Sequence, residues 1–173
     1  MRVQIYYSIL VLAIVGAGAV FTGSNPAYTK MELAHHFKAS QSRFLVSEPE
    51  IVSPLLAAAK EMGIPESNVR IFNVLGQGVP TGMQSWETLF QAGEADWVRF
   101  DDLKTSQETT ACRLFSSGTT GLPKAATVTH HNMVAQQNLV FEVKPRPYRV
   151  ALSLSFPLST ATCPRPESLI ATE

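Results

Sequence analysis

Ser116-Ser117-Gly118-Thr119-Thr120-Gly121-Leu122-Pro123-Lys124 places four hydroxyls, two glycines and one lysine within nine residues, directly after the apolar run Ala111-Cys112-Arg113-Leu114-Phe115. Hydroxyls donate hydrogen bonds, and so do the backbone amides of a loop that glycine leaves open. The lysine adds a mobile point charge on a flexible stem. Amides, hydroxyls and ammonium together suit an anion-binding concavity of the kind that cradles phosphates. The pattern is not the Walker loop, which needs Gly-Lys adjacent and Ser or Thr next. Here Leu122-Pro123 separates Gly121 from Lys124, and Ala125 follows. On residues alone, a polar surface turn after a strand is the competing reading.

Working outward, strand-like and helix-like stretches alternate. Val20-Phe21-Thr22 reads as a short strand ending in the Gly23-Ser24-Asn25-Pro26 turn. Thr29, with Glu32 three residues on, forms a capping-box signal for a helix through Met31, Leu33, Ala34 and Phe37. Residues 43–46 read as a strand, and Pro49 opens a helix through Ile51, Leu55, Leu56 and Ala59, closed by Gly63 and Pro65. Residues 69–74 form the next expected strand. Residues 76–110 read as a long connection with a short helix at 85–90, in which Trp97 and Phe100 serve as packing anchors. Residues 126–129 are expected to be a strand and 130–142 a helix with Met133, Val134, Gln137 and Val140 along one side. Tyr148-Arg149-Val150-Ala151-Leu152 is the last strand of this reading. Such alternation predicts an α/β fold with a parallel sheet.

The first apolar run, residues 5–21, carries no charge. Its composition fits a signal peptide, a membrane span at the short limit of about 17–25 residues, or a buried helix. The absence of any Asn-x-Ser/Thr acceptor mildly disfavours secretion.

Composition excludes several function classes. Fourteen basic residues balance fourteen acidic ones among 173, so bulk electrostatics point to no nucleic-acid or anionic-membrane partner. Hydrophobic content of 45% is enough for a core, while 16% charged residues is low against the usual ~25%. That deficit fits a piece of a larger protein. Cys112 and Cys163 have no metal-ligand spacing and form no disulfide framework. The pairs His35-His36 and His130-His131 point about 100° apart on a helix and would not converge on one metal. Glu94, Asp96, Asp101 and Asp102 read as a solvated edge rather than an oxygen site. No catalytic residue and no metal ligand is assigned.

Ser116 to Lys124 closely resembles the phosphate loop of the adenylate-forming (AMP-binding) superfamily, the acyl- and aryl-CoA synthetases. Residues 16–29 resemble its early alanine-glycine helix end and Asn-Pro turn, and Thr129-His130-His131-Asn132 resembles its Thr/Ser-His-x-Asn step. The resemblance covers about residues 5–152 and is closest to coumarate-type CoA ligases, particularly fungal-looking ones. It implies an incomplete parallel-sheet portion of the N-terminal domain, with residues 5–21 a core helix, residues 1–152 a partial adenylation domain and residues 153–173 a divergent, disordered tail.

The implied chemistry is activation of a carboxylic acid with ATP to an acyl-adenylate, releasing pyrophosphate, then transfer to coenzyme A. Ser116, Ser117, Gly118, Thr119, Thr120 and Lys124 match the family's ATP-phosphate loop, and Gly121 matches its turn position. Ala125 replaces the glycine common after the lysine. The family implies Mg²⁺, which with the loop would hold the β- and γ-phosphates. Segments matching the aromatic-Gly-x-Thr-Glu adenine contact, the ribose aspartate and the C-terminal catalytic lysine do not occur. The isolated chain is therefore expected not to complete adenylation. Two other readings stand beside this one: a non-catalytic product that binds nucleotide or a partner subunit, and a small secreted or membrane-anchored protein organised by residues 5–21. The sequence gives no targeting address, since Ala171-Thr172-Glu173 is no peroxisomal or retention signal, and a cytoplasmic location is the favoured expectation.

Overall fold

The structure is a computed structural model that describes residues 5–116 and 123–141. The strand expected at 148–152, the tail from 153, Cys163 and most of the 117–124 loop lie outside the described residues. The chain divides into two compact units, residues 24–96 and a second built from the segments on either side of it.

Residues 24–96 hold a parallel sheet with helices packed beside it. Helix α2, Lys30–Ser40, starts at the capping box: the Thr29 amide and hydroxyl donate to Glu32 Oε2 at 2.8 and 2.7 Å. These hydrogen bonds, the backbone one foremost, hold the exposed Glu32 carboxyl below its ordinary range. A 3₁₀ turn at Pro49–Ile51 leads into α3, Val52–Glu61, where Pro54 sits in the first turn and removes no intrahelical bond. Leu33, Ala34 and Phe37 of α2 pack with Leu55, Ala58 and Ala59 of α3 over Leu45 and Val69, forming the core. Each fully buried large apolar side chain there stabilises by about 1.5–3 kcal/mol.

Beneath the helices run β1, Leu45–Ser47, and β2, Val69–Ile71, parallel in the register Leu45↔Val69. Both bury alternate residues, as strands with one face on a core do. They are shorter than expected: Phe44, assigned to the first strand, is 76% exposed and lies before it. A third parallel strand, β3 at Gln84–Ser85, pairs with β2. Ser85 then caps the 3₁₀ segment Trp86–Ala92, whose Trp86 ring lies 4.9 Å from Phe72 and 5.1 Å from Phe90.

The second unit begins with α1, Ile5–Gly16, of 12 residues. Two expectations for residues 5–21 are corrected here. The helix stops at Gly16, because the chain turns through Gly18 at φ +74°, a left-handed conformation natural only to glycine. It is also not buried all round: Ser8 and Val11 are covered, whereas Tyr6 and Ile9 are 45% and 49% exposed. Among the described residues no helix is long and apolar enough to cross a membrane. The Val98 amide donates to the Gly16 carbonyl at 2.8 Å, and the Trp97 indole lies against the face where a Gly16 Cβ would point. Trp97 packs there against one glycine while remaining 63% exposed, so the packing expected of it is made at the surface and not in the core.

The long connection at 76–110 proves partly ordered, since it contains β3 and α4, Leu103–Glu108. Asp102, read as surface charge, is the cap of α4: Thr105 donates to Asp102 Oδ2 from its amide and hydroxyl at 2.7 and 2.6 Å. Those bonds, the hydroxyl one foremost, lower the Asp102 pKa. The remaining elements are β4, Thr110–Ser116; β5, Lys124–Thr129; and α5, His130–Phe141. The expected strand at 20–22 reduces to a single parallel bridge, Phe21 to Cys112.

Two predictions follow from this packing. A Cβ on Gly18 would meet Val98 Cγ2 at 3.2 Å while the backbone stays left-handed. Gly18→Ala should therefore cost about 1–2 kcal/mol in denaturant unfolding, and an unchanged midpoint would contradict this. His36 of α2 is 2% exposed, and burial, with a smaller contribution from the His35 charge, lowers its pKa to about 4. The fold holds the neutral imidazole, so this stability is complete above the unfolded value near 6.5 and is lost as pH falls toward about 4. Between pH 7.5 and 4.5 the wild type should lose about 2 kcal/mol more than His36→Gln. Parallel pH curves for the two would refute the assignment.

Candidate functional site

Strands β4 and β5 pair antiparallel, with Arg113↔Thr127, Leu114↔Ala126, Phe115↔Ala125 and Ser116↔Lys124 in register. Of the site residues expected from sequence, the pairing brings Ser116 and Lys124 opposite each other at the open end of the hairpin, where both are exposed. Ser117, Gly118, Thr119, Thr120 and Gly121 lie in the connection, outside the described residues. The strand begins at Lys124 rather than at Ala126 as expected, so the lysine is a ladder residue and not a loop residue. This pair is antiparallel, whereas only parallel pairing had been expected.

The hairpin is fixed from its far end. The register shifts between Thr110 and Cys112, where Ala111 is bulged out. The bulge breaks the period of two, so that Ala111 and Cys112 are buried in succession. It also frees the Ala111 carbonyl, which accepts from the Phe21 amide at 2.9 Å, while the Arg113 amide donates to the Phe21 carbonyl at 2.8 Å. Cys112 is thus a small core residue, as expected. After β5 the chain turns directly into α5. The amide and hydroxyl of Thr129 donate to Asn132 Oδ1 at 3.1 and 2.9 Å, and the Asn132 amide donates to Thr129 Oγ1 at 3.2 Å. This is a capping box with asparagine in the glutamate position. The Thr-x-x-Asn spacing is visible in the sequence, and the structure gives it a mechanical role as the helix cap.

His130 opens α5. Its amide donates to the Thr109 carbonyl at 3.1 Å, and its ring lies 4.1 Å from that of Phe100 at 36°. Burial lowers its pKa, which keeps the imidazole neutral at pH 7. Phe100 is therefore a packing partner, in line with expectation. Among the described residues no three His, Cys, Asp or Glu groups cluster to hold a metal ion.

What this arrangement can do chemically is set by its open end. An exposed lysine that pairs with no carboxylate among the described residues faces a serine across the mouth. Between them the sequence supplies three further hydroxyls and two glycines. A polyanion such as a triphosphate fits that donor set: charge-assisted bonds from an ammonium with hydroxyl and amide donors beside it.

An acyl-CoA ligase of Aspergillus niger, azaF, is 44% identical over 156 residues, covering 89% of this chain and 29% of that protein. The phenylacetyl-CoA ligase epaB, also of Aspergillus niger, is 44% identical over the same length and coverage. Among solved structures, ATP-bound MatB of Rhodopseudomonas palustris is 27% identical with a TM-score of 0.58, over 81% of this chain and 26% of that one. The chain spans less than a third of the length of these curated relatives. The AMP-binding enzyme family model matches residues 2–163, and the chain belongs to that family.

Proposed function

We propose that this chain carries the ATP-phosphate loop of a ligase that activates a carboxylic acid as its acyl-adenylate and passes the acyl group to coenzyme A. The observation that carries this reading is the pairing of Ser116 with Lys124 across the mouth of the β4–β5 hairpin. It closes a loop of the family's sequence between two fixed ends. Support comes from the family match, from relatives named as CoA ligases, and from a structural relative described as ATP bound.

In this proposal the Lys124 ammonium neutralises a non-bridging phosphate oxygen. The hydroxyls of Ser116, Ser117, Thr119 and Thr120 donate to the others, and Gly118 and Gly121 let backbone amides approach closely. Mg²⁺ would supply further charge neutralisation at the β- and γ-phosphates. Holding the triphosphate rigid places the α-phosphorus in line for the attacking carboxylate, and a stabilised pyrophosphate leaves more readily. Residues 1–152 act as part of an adenylation domain, and residues 153–173 form a divergent tail. Segments matching the family's adenine contact, ribose aspartate and catalytic lysine do not occur in this sequence, and in this proposal the chain alone binds nucleotide without turning it over.

The test is equilibrium dialysis of the purified chain against Mg-ATP. Lys124→Ala removes one charge-assisted contact of about 1.5–3 kcal/mol and should weaken binding about 10–100-fold. Lys30→Ala, which breaks only the surface pair with Glu61, should leave it unchanged. Absence of ATP binding at millimolar concentration, or equal binding by Lys124→Ala, would overturn the loop assignment. Carboxylate-dependent exchange of pyrophosphate into ATP by the chain alone would overturn its incompleteness.

A further inference from the structure

The donor set at the mouth of the β4–β5 hairpin also decides which part of a nucleotide it can recognise. From Ser116 to Lys124 the side chains are four hydroxyls, one ammonium and the apolar Leu122 and Pro123, with glycine at 118 and 121. A hydroxyl rotates to donate or accept as its partner requires. It therefore binds a phosphate oxygen well and tells no base from another. Adenine shows an amino donor beside a ring acceptor, whereas guanine shows two acceptors. Telling those edges apart takes a side chain with donor and acceptor held in fixed relation, as in asparagine or glutamine. The stretch contains neither.

The ladder carries the same restriction onto the strands. Residues directly opposite each other in an antiparallel pair share a face, and successive residues alternate between faces. Ser116 and Lys124 therefore share their face with Leu114 and Ala126, while Arg113, Phe115, Ala125 and Thr127 lie on the other. A ligand held at Lys124 that extends back along the ladder meets Leu114, half-buried, and Ala126, exposed. Both are aliphatic and offer the same contact to any base. The ring of Phe115, the one aromatic surface on these two strands, and the fixed donors of Arg113 belong to the opposite face.

We infer that this chain is a polyphosphate-binding module indifferent to the base, taking the triphosphate group of any nucleoside triphosphate and inorganic triphosphate as well. The inference rests on the phosphate-loop reading and adds its selectivity. Charge-assisted bonds to phosphate oxygens are the same for every nucleotide. Strong rejection of an analogue needs a site built to hydrogen-bond the group that differs. Capture of the phosphates and choice of the base are thus separate functions, and this chain performs the first.

Equilibrium dialysis of the purified chain tests this with four magnesium-loaded probes: ATP, GTP, CTP and inorganic triphosphate. The three nucleotides should bind within about threefold of one another, and inorganic triphosphate at least as tightly as the weakest of them. Lys124→Ala should raise all four dissociation constants about 10-fold or more. One nucleotide binding more than about threefold tighter than the others, or inorganic triphosphate binding more weakly than all three, overturns base indifference. If Lys124→Ala still weakens binding in that case, the phosphate-loop reading survives. If none of the four binds, or Lys124→Ala binds all four as the wild type does, the loop reading falls and this inference falls with it.

Discussion

The ladder between β4 and β5 is the constraint on which the candidate site depends. Six residue pairs fix two strands, and the last pair, Ser116 and Lys124, sets where the connecting loop begins and ends. A polar loop rich in glycine has little preference of its own, and the entropy of ordering it opposes any binding geometry. Anchoring both ends to a hydrogen-bonded ladder removes much of that freedom before a ligand arrives. The far end of the ladder is held in turn. The bulge at Ala111 docks Phe21, and the Thr129–Asn132 box launches α5 without an intervening loop.

The unit of residues 24–96 rests on other physics. Its sheet strands are two and three residues long, too short to stand on hydrogen bonds alone. It is the burial of Phe37, Leu33, Leu55 and Val69 between α2, α3 and the sheet that holds them. One buried group runs against that economy. His36 sits among apolar neighbours and must stay neutral, which makes this unit sensitive to acid. The surface ion pair between Lys30 and Glu61 links the start of α2 to the end of α3, but both groups are half exposed and it contributes little.

Local chemistry was legible in the sequence where a few adjacent residues decide the structure. Thr29 and Glu32 announced α2, Pro49 announced the turn into α3, and the polar stretch from Ser116 to Lys124 announced a loop with a strand on each side. Features set by distant partners were not legible. Gln84-Ser85 has no apolar alternation and is a strand only because β2 lies beside it. The antiparallel direction of β5 is a property of the pair, which neither strand's composition encodes. His36 and His35 are the same residue type side by side, and only the packing of α2 buries the first fully while leaving the second half-buried. The helix at α1 was overextended because Val20 and Phe21 continue its apolar composition past the glycines that end it. For the candidate site, the residue types and spacing came from the sequence, while the anchoring pair came from the ladder.

The central claim is that a phosphate chain is held at the open end of the β4–β5 hairpin. The most direct measurement is a backbone amide NMR titration of the chain with Mg-ATP. Concentration-dependent shifts should be largest from Ser116 to Lys124 and should fade along β4 and β5 toward Thr110 and Thr129, leaving Leu45–Ser47 and Val69–Ile71 unmoved. Saturable binding with shifts centred in residues 24–96, and none in the hairpin loop, would contradict the account.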